Sequence, residues 1–349
     1  MRRRHLLKLA AVTAAGAVLH KTGFSQNAPV GQNASSTQAG PSSADEPATA
    51  IASSSTQIPI LDAHIHLFDT GRPGGVPWPT PKETVLYKPA LPSRYEALSS
   101  GHGVVGAIAI EASSLKSDND WLLKVVKDNP VMVGMIGDLV PYDAGYIADL
   151  ERLHRDPLFL GIRYGNLWDR DLLVDFKRPG FAYGLKALSS AGLVLETANP
   201  DCRLISAIRL VGERVPDLRI VIDHMPNAKL PEKKSDLDAY WADLHHIAQN
   251  PQVFIKLSEI PQRKEEKLIT DPAYYRAGLD QLWDLFGEDR VIFGSDWPNS
   301  DPIASYDETL SIVQSYMGTK SRQAQEKYFW KNSLAAYHWR PRRPNQNLA

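Results

Sequence analysis

The sequence predicts a (β/α)8 barrel, in which eight parallel strands alternate with helices. From about position 58 onward, a short β-branched run that ends in polar residues is followed by a longer segment of helical character, and this unit recurs along the chain. Strict alternation of this kind implies a parallel sheet, and eight strands are the number that closes a barrel. A doubly wound open sheet usually has a glycine-rich phosphate loop after an early strand, and the sequence has none.

Length and composition leave room for one large core and narrow the classes of partner. The chain has 349 residues, 43% of them hydrophobic, and a net charge of -1. Because basic residues cluster only at the extreme N-terminus, we expect a small-molecule substrate and no nucleic-acid partner. Cys202 is the one cysteine, so that any metal must be held by histidine and carboxylate groups.

Residues 1–25 have the layout of a twin-arginine export signal. Arginines occupy positions 2 to 4, and an apolar, alanine-rich stretch covers positions 9–19. That stretch is well short of the ~20 residues that span a bilayer. We therefore expect recognition by the twin-arginine export machinery, a periplasmic or secreted protein, and no stable membrane anchor after processing.

The next segment, residues 26–57, consists mostly of Ser, Ala, Thr, Gln, Gly and Pro. Such a segment buries too little apolar surface to offset the entropy lost on ordering, so we expect a disordered linker. The barrel is predicted over residues 58–340, and residues 341–349 form a C-terminal tail.

Eight strand candidates follow one another within that domain. They cover residues 60–66, 104–111, 131–139, 159–163, 193–197, 219–224, 253–258 and 291–296. Amphipathic segments between them predict helices over 119–129, 183–191, 202–215, 239–250 and 273–286. Residues 70–93 are rich in Pro and Gly and form a long loop after the first strand. In a barrel this loop overhangs the active-site mouth, as a lid or pocket wall.

The first strand carries two histidines at a spacing of two. Because side chains alternate along a strand, Asp62, His64 and His66 are expected on one face. A His-x-His pair at the end of an inward-facing barrel strand can bind a divalent metal.

Two further strand ends carry residues of the same kind. The sixth strand ends in His224 and the eighth in Asp296. Barrel enzymes keep their chemistry at the C-terminal ends of the strands. We therefore predict that His64, His66, His224 and Asp296 form the catalytic group.

These segments and others in the domain resemble the amidohydrolase superfamily, within it the lactonase branch that includes sugar-acid lactonases and 2-pyrone-4,6-dicarboxylate lactonase. The matching pieces, in the family's order, are Asp62-Ala63-His64-Ile65-His66, Gly161-Ile162-Arg163, Ile222-Asp223-His224, Ile255-Lys256-Leu257-Ser258 and Phe293-Gly294-Ser295-Asp296-Trp297-Pro298. The resemblance implies a hydrolase of a small cyclic ester, the lactone of a sugar acid or a related carboxylic acid.

One departure from the superfamily pattern limits the number of metal ions that we expect in the site. Members with a binuclear site have a bridging lysine or carboxylate on the fourth strand and a histidine on the fifth, whereas the fifth strand here ends Leu195-Glu196-Thr197. We expect one divalent ion, zinc or manganese, or none, since the lactonase branch contains both kinds of enzyme. The candidate ligands are His64, His66, Asp296 and Glu196, with Glu111 an alternative carboxylate.

The proposed reaction is attack of water on a lactone carbonyl, with Asp296 as the general base. A bound ion would polarise the carbonyl or lower the pKa of its water toward ~7. Without an ion, His64, His66 and His224 would stabilise the oxyanion by hydrogen bonding.

Substrate contacts are predicted from residue type and strand position. Arg163, at the end of the fourth strand, offers a planar two-pronged donor for a carboxylate or hydroxyls, and Lys256 is a weaker candidate of the same kind. The aromatic residues that are candidates for stacking on a ring are Trp78, Tyr164, Trp168 and Trp297.

Two alternatives stay open. The first is a metal-dependent decarboxylase or a hydrolase of another cyclic ester or amide. Glu196, in place of a fifth-strand histidine, favours the lactonase instead. The second is a non-catalytic periplasmic binding protein on the same barrel, which would have no use for a base at Asp296.

Overall fold

The computed structural model describes residues 57–348. The predicted export signal and all but the last residue of the predicted linker lie outside these residues. Within them, eight strands form one parallel sheet in chain order, and a helix follows each strand. The predicted (β/α)8 barrel is thereby confirmed.

All eight predicted strands are present. They are β1 (Ile60–His66), β2 (Val104–Ile110), β3 (Met132–Gly137), β4 (Phe159–Arg163), β5 (Val194–Thr197), β6 (Ile220–Ile222), β7 (Val253–Leu257) and β8 (Val291–Phe293). Apart from the first two residues of β2, every strand residue is buried. Helices cover the outside of the sheet and side chains fill its inside, so both faces of each strand are buried.

Eight helices of at least eight residues alternate with the strands within residues 57–348. They are α1 (Pro92–Ser99), α2 (Lys116–Asp128), α3 (Tyr146–His154), α4 (Phe181–Ser190), α5 (Cys202–Arg214), α6 (Lys234–Ala248), α7 (Pro272–Phe286) and α8 (Tyr306–Met317). The five predicted helical segments correspond to α2 and α4 to α7. Side-chain caps fix several starts: Asp201 accepts a hydrogen bond at the start of α5 and Asp271 at the start of α7, and Ser305 with Glu308 forms a capping box on α8.

Shorter helices and one hairpin lie between and after the main strands and helices. A one-turn helix, Leu172–Asp175, follows β4, and a small hairpin pairs Arg263–Lys264 with Lys267–Leu268 after β7. After α8 come the helix Arg322–Glu326, a π-helical turn at Lys327–Lys331, the helix Asn332–Tyr337 and a 3-10 turn at Pro344–Gln346. Among residues 57–348, no helix combines the length and apolar character that a membrane crossing requires.

Two apolar clusters fill the fold. The larger lies between the sheet and the helices, and the smaller lies inside the barrel. The inner cluster joins strand residues such as Val194, Val221 and Phe254 to the C-terminal residues Trp330 and Tyr337. The C-terminal segment therefore packs into the barrel interior.

The barrel closes where β1 meets the end of β8. Asp296 N donates to His64 O at 2.9 Å, and His66 N donates to Trp297 O at 2.7 Å. Gly294 permits this approach, because a Cβ at that position would lie 2.6 Å from the Cβ of His64. Closure thus brings the histidines of the first strand next to the aspartate that follows the last.

Candidate active site

The four side chains predicted from three strand ends lie together at the barrel mouth. Asp296 Oδ1 is 3.4 Å from His64 Nε2, 3.2 Å from His66 Nε2 and 3.9 Å from His224 Nε2. All four residues are buried. Three imidazole nitrogens therefore converge on one carboxylate oxygen.

A bulge in β1 sets the direction of its two histidines. The register with β2 shifts between Asp62 and Ile65, which interrupts the alternation of side chains. Asp62 faces away from the histidine cluster and accepts hydrogen bonds from Tyr95 Oη at 3.0 Å, Tyr306 Oη at 3.2 Å and Ser295 N at 2.8 Å. The expectation that Asp62 shares a face with both histidines is wrong, because the bulge reverses the alternation after it.

Hydrogen bonds behind two of the imidazoles orient their rings. His66 Nδ1 lies 3.1 Å from both Ile110 O and Glu111 O. Carbonyl oxygens only accept hydrogen bonds, so Nδ1 carries the proton and the lone pair of Nε2 faces the cluster. His224 Nδ1 contacts Ser258 Oγ at 2.8 Å, which likewise leaves its Nε2 to the site.

All three imidazoles are held in the neutral form. Burial, with the Arg163 guanidinium as a second cause, lowers the pKa of His66 to about 3. Burial and the Lys256 ammonium lower the pKa of His64 well below its ordinary value. Burial also lowers the pKa of His224. Neutral imidazole is the form that binds a metal ion.

The carboxylate at the centre of the cluster is only partly satisfied. Asn299 Nδ2 donates to Asp296 Oδ2 at 2.6 Å, while Oδ1 is buried without a hydrogen-bond partner among residues 57–348. Burial and the nearby Glu259 carboxylate raise the pKa of Asp296 well above its ordinary value. The ligand atoms of His64, His224 and Asp296 lie close enough together to hold a metal ion, and His66 Nε2 lies 3.2 Å from Asp296 Oδ1. Imidazole nitrogens and a carboxylate oxygen are ligands that divalent ions such as zinc accept.

Lys256 and Glu196 lie deeper in the barrel than predicted. Lys256 Nζ is 2.6 Å from Glu196 Oε1, 3.1 Å from Asp223 Oδ1 and 2.9 Å from His64 Nδ1. The contacts with Glu196 and His64 are hydrogen bonds, and the contact with Asp223 is an ion pair. Lys256 is therefore engaged in the interior instead of binding substrate. Glu196 lies at the Nδ1 edge of His64, opposite the edge that faces Asp296. With His64 and Asp223 it forms a second group whose ligand atoms are close enough together for a metal ion, but Lys256 Nζ lies among the three.

Asp223 is the centre of this interior layer and was missed as a functional residue by the sequence analysis. Burial and the Asp223 carboxylate raise the pKa of Glu196 to about 8. Burial alone would raise the pKa of Asp223, but the Lys256 ammonium holds it below its usual range. Tyr337 Oη donates to Glu196 Oε2 at 2.7 Å. The signal was present in the Ile-Asp-His segment, where the aspartate directly precedes the histidine.

Arg163 borders the site but is held by a carboxylate. Its Nε donates to Glu111 Oε1 at 2.7 Å and its Nη2 to Glu111 O at 2.7 Å. Glu111 Oε2 accepts from Ser113 N and from Trp168 Nε1, so Glu111 positions Arg163 and is not a free ligand. Nη1, 3.8 Å from Asp223 Oδ2, is the arm left for a substrate group.

The aromatic candidates separate into one at the site and others that pack. Trp78 is half-buried, and its ring centroid lies 5.7 Å from that of His66, so the long loop after β1 forms one wall of the site. Trp297 is fully buried, with Tyr95 at 5.4 Å and the Arg94 guanidinium over its ring at 5.0 Å. This packing corrects the prediction that Trp297 binds substrate.

The remaining two aromatics are tied to neighbours. Tyr164 Oη donates to Asp175 Oδ2 at 2.7 Å, and Trp168 donates to Glu111. A shallow recess opens beside Trp78, with Arg72 and Trp121 also in its lining.

Glu259 is a residue of the site that the sequence analysis did not find. It comes two residues after β7. Asn299 Nδ2 bridges Glu259 Oε1 at 3.0 Å and Asp296 Oδ2 at 2.6 Å, and Asn227 Nδ2 donates to Glu259 Oε2 at 3.0 Å. Its position after a strand end was the available signal, but that position alone does not distinguish it from other loop carboxylates.

Comparison with known proteins agrees with this geometry. A family model described as amidohydrolase matches residues 61–339. An L-fucono-1,5-lactonase from Burkholderia ambifaria is 31% identical over 246 residues, which are 69% of this chain and 80% of the relative.

Solved structures show the same fold. An amidohydrolase from Burkholderia multivorans with bound zinc superposes with a TM-score of 0.70 at 23% identity, over 81% of this chain and 100% of the other. A probable 2-pyrone-4,6-dicarboxylic acid hydrolase from Acinetobacter baumannii, with citric acid bound, gives 0.63 at 16% identity, over 80% and 99%. The resemblance drawn from the sequence segments is confirmed.

Proposed function

The chain belongs to the amidohydrolase family, and from this premise we propose that it hydrolyses the lactone of a sugar acid. The observation that carries the proposal is the convergence of three imidazole Nε2 atoms on Asp296 Oδ1. A relative that is 31% identical to this chain is named as a lactonase, which supports a cyclic ester as the substrate.

The reaction adds water across the ring ester. The water oxygen bonds to the carbonyl carbon and the ring C–O bond breaks, which leaves a carboxylic acid and a hydroxyl group on one open chain. The ionised form of Asp296, which its raised pKa makes a stronger base, takes the proton from the attacking water and delivers it to the departing alkoxide. Asn299, which donates to Asp296 Oδ2, keeps Oδ1 turned toward the histidines.

His64 and His66 differ in what they offer at the site. His64 Nδ1 accepts from Lys256 Nζ at 2.9 Å, which puts the proton of the neutral ring on Nε2 and makes that atom a hydrogen-bond donor. His66 suits a metal-ligand role instead. His66 uses its N–H on the carbonyls of Ile110 and Glu111, so Nε2 has a lone pair and no proton to donate. His66, His224 and Asp296 would hold one divalent ion, zinc or manganese, and His64 would join them on loss of its Nε2 proton. Such an ion, when bound, polarises a carbonyl or lowers the pKa of a water.

Two side chains orient the substrate around this centre. Arg163 offers Nη1 to a carboxylate or hydroxyl, and Trp78 presents an aromatic edge beside His66. The export signal predicted over residues 1–25 would place this activity in the periplasm or outside the cell.

Replacement of the base tests the mechanism. We expect Asp296→Asn to lower kcat for aldonolactone hydrolysis by roughly 10²–10⁴-fold, since general-base catalysis contributes about that much. Acid release at constant pH measures the rate, and circular dichroism checks the fold. Asp301→Asn, a carboxylate of the same loop that pairs with Arg94, serves as the control and should keep full turnover. Unchanged turnover in Asp296→Asn would reject the assignment.

The same assay separates the lactonase from the alternatives. A lactonase releases acid from aldonolactones, whereas a decarboxylase releases carbon dioxide from a carboxylic acid and a binding protein releases neither. If the enzyme releases acid from none of the aldonolactones tested, the proposed function is wrong.

A further inference from the structure

Three successive strands, β6 to β8, are followed by a polar residue with a left-handed backbone. His224, Glu259 and Asp296 have φ angles of 52°, 51° and 60°. Residues other than glycine rarely adopt this conformation, and where they do the surrounding structure enforces it, often at a functional site. Two of the three already belong to the proposed catalytic group, and Glu259 shares their backbone signature and their position.

The side chain of Glu259 is held beside Asp296 from two directions. Asn299 Nδ2 contacts both carboxylates, at 3.0 Å to Glu259 Oε1 and 2.6 Å to Asp296 Oδ2. From the other side, Asn227 Nδ2 donates to Glu259 Oε2 at 3.0 Å and to its backbone carbonyl at 2.7 Å. The carboxylate is thus fixed in orientation without being paired to an arginine or lysine among residues 57–348.

Glu259 retains the capacity to accept further hydrogen bonds. A carboxylate has about four lone-pair positions, and the two asparagine amides occupy two of them. Unlike Asp296, Glu259 is half-buried, so part of it borders the open side of the site. A group that binds there must be a hydrogen-bond donor.

The charge at this end of the site decides which donor fits. A substrate carboxylate would meet the Glu259 carboxylate and be repelled, whereas a hydroxyl donates to a carboxylate in a strong, charge-assisted hydrogen bond. Arg163, held by Glu111, offers the complementary donor group. The two groups together suit a ring with hydroxyls toward Glu259 and an acceptor oxygen toward Arg163.

We propose that Glu259 binds ring hydroxyl groups of the substrate and thereby selects polyhydroxylated lactones over deoxy lactones and over lactones of dicarboxylic acids. The proposal rests on the lactonase function and names its substrate class. A site built to hydrogen-bond a hydroxyl rejects an analogue that lacks it, because the buried acceptor is then left unpaired.

The test compares the wild type with two variants, each on a hydroxylated lactone and on analogues that lack one hydroxyl group. kcat/KM is measured for an aldonolactone and for its singly deoxygenated analogues, with the full-length enzyme, Glu259→Gln and Glu259→Ala. We expect the preference of the wild type for the hydroxylated lactone over at least one deoxy analogue to shrink by about 10- to 100-fold in both variants, as loss of a hydrogen bond to a charged group predicts. Turnover of that deoxy analogue should change much less.

Matched controls come from the hairpin after β7. Glu265 is exposed and also has a left-handed backbone, with φ of 49°, so Glu265→Gln and Glu265→Ala test the effect of the same changes away from the site. Both should keep the preference of the wild type. If Glu259→Ala does not fold, Glu259→Gln, which keeps the shape of the side chain, decides the matter.

The outcomes are distinguishable. Equal losses on hydroxylated and deoxy lactones would mean that Glu259 only positions Asp296, and an unchanged preference would mean that it does not contact the ring; either result overturns the inference while lactone hydrolysis stands. A wild-type enzyme that opens no lactone in the panel would instead refute the proposed function, and this inference with it.

Discussion

Lys256 shows that the role of a lysine depends on whether its side chain is buried. From the sequence, a lysine on an inward-facing strand is a candidate for binding an anionic substrate. In the fold it is fully buried, and Glu196, Asp223 and His64 surround its ammonium group. Two carboxylates are too costly to bury at one place without a cation, so Lys256 completes the interior instead.

Removal of this cation should destabilise the protein strongly. We expect Lys256→Met to lower the free energy of unfolding by about 3–5 kcal/mol, because it leaves the buried Asp223 carboxylate without its cation. Urea unfolding measures the change. Lys124→Met, which breaks an exposed pair with Asp128, is the matched control and should cost no more than about 1 kcal/mol.

A second variant isolates the charge effect. When Glu196→Gln is added to Lys256→Met, the loss should be smaller than the sum of the two single losses, because the two residues interact directly. Strict additivity, or a loss for Lys256→Met as small as that for Lys124→Met, would contradict this account of the interior.

At the scale of elements, the site depends on how β1 and β8 meet. The bulge in β1 turns His64 and His66 into the barrel, and β8 approaches so closely that its backbone bonds directly to that of β1. Gly294 lies at the closest point, where a Cβ would stand 2.6 Å from the Cβ of His64. The position of Asp296 relative to the imidazoles therefore depends on the lack of a side chain at Gly294.

Addition of one methyl group should disturb that arrangement. We expect Gly294→Ala to lower kcat/KM for lactone hydrolysis by roughly 10²-fold, since a displacement of about 1 Å at a catalytic group costs about that much. The control, Gly278→Ala, lies at an exposed site in α7 with no atom within 4 Å of the added Cβ, and should stabilise the protein by about 0.5–1 kcal/mol. Full activity in Gly294→Ala would show that the strands tolerate separation.

At the scale of the whole molecule, the chain's end helps to close the barrel. Trp330 and Tyr337 pack in the inner cluster, and Tyr337 bonds to Glu196 below the site. Further on, Arg342 donates to the carbonyls of Val126 and Met132 at 2.7 Å each. The residues predicted as a tail thus bind the far side of the barrel.

Because the candidate metal ligands come from three strands, a bound ion should stabilise the entire fold. Zinc at about 100 times its Kd contributes about 2.7 kcal/mol, which corresponds to an increase in Tm of roughly 5 °C for a domain of this size. Differential scanning calorimetry of the chelator-treated protein, with and without zinc, measures the shift.

Two variants assign that shift to the site. His66→Ala and His224→Ala should abolish it, and His154→Ala, an exposed histidine on α3, should preserve it. If zinc still raises the Tm of His66→Ala, the ion binds elsewhere. If zinc does not raise the Tm of the wild type, the imidazoles do not bind zinc.

The residues that could be predicted share one property, which is that their position follows from the strand pattern alone. His64, His66, His224 and Asp296 lie at or just after the C-terminal ends of strands, and these ends share one rim in a parallel barrel. Glu196, Lys256 and Trp297 were placed on the same grounds but serve the interior, because depth within the barrel depends on register between strands. The backbone angle of Glu259 and the bulge at Asp62 have no signature of spacing or composition.

The sequence by itself determined the barrel, the order of its strands and the side chains that converge at its rim, because periodicity and residue type are local properties of a chain. Only the tertiary structure decided which carboxylates pair with Lys256, which tautomer His66 adopts, and that Glu259 stands beside Asp296. Those features arise from distances between residues far apart in the chain, and a distance of that kind is fixed by packing.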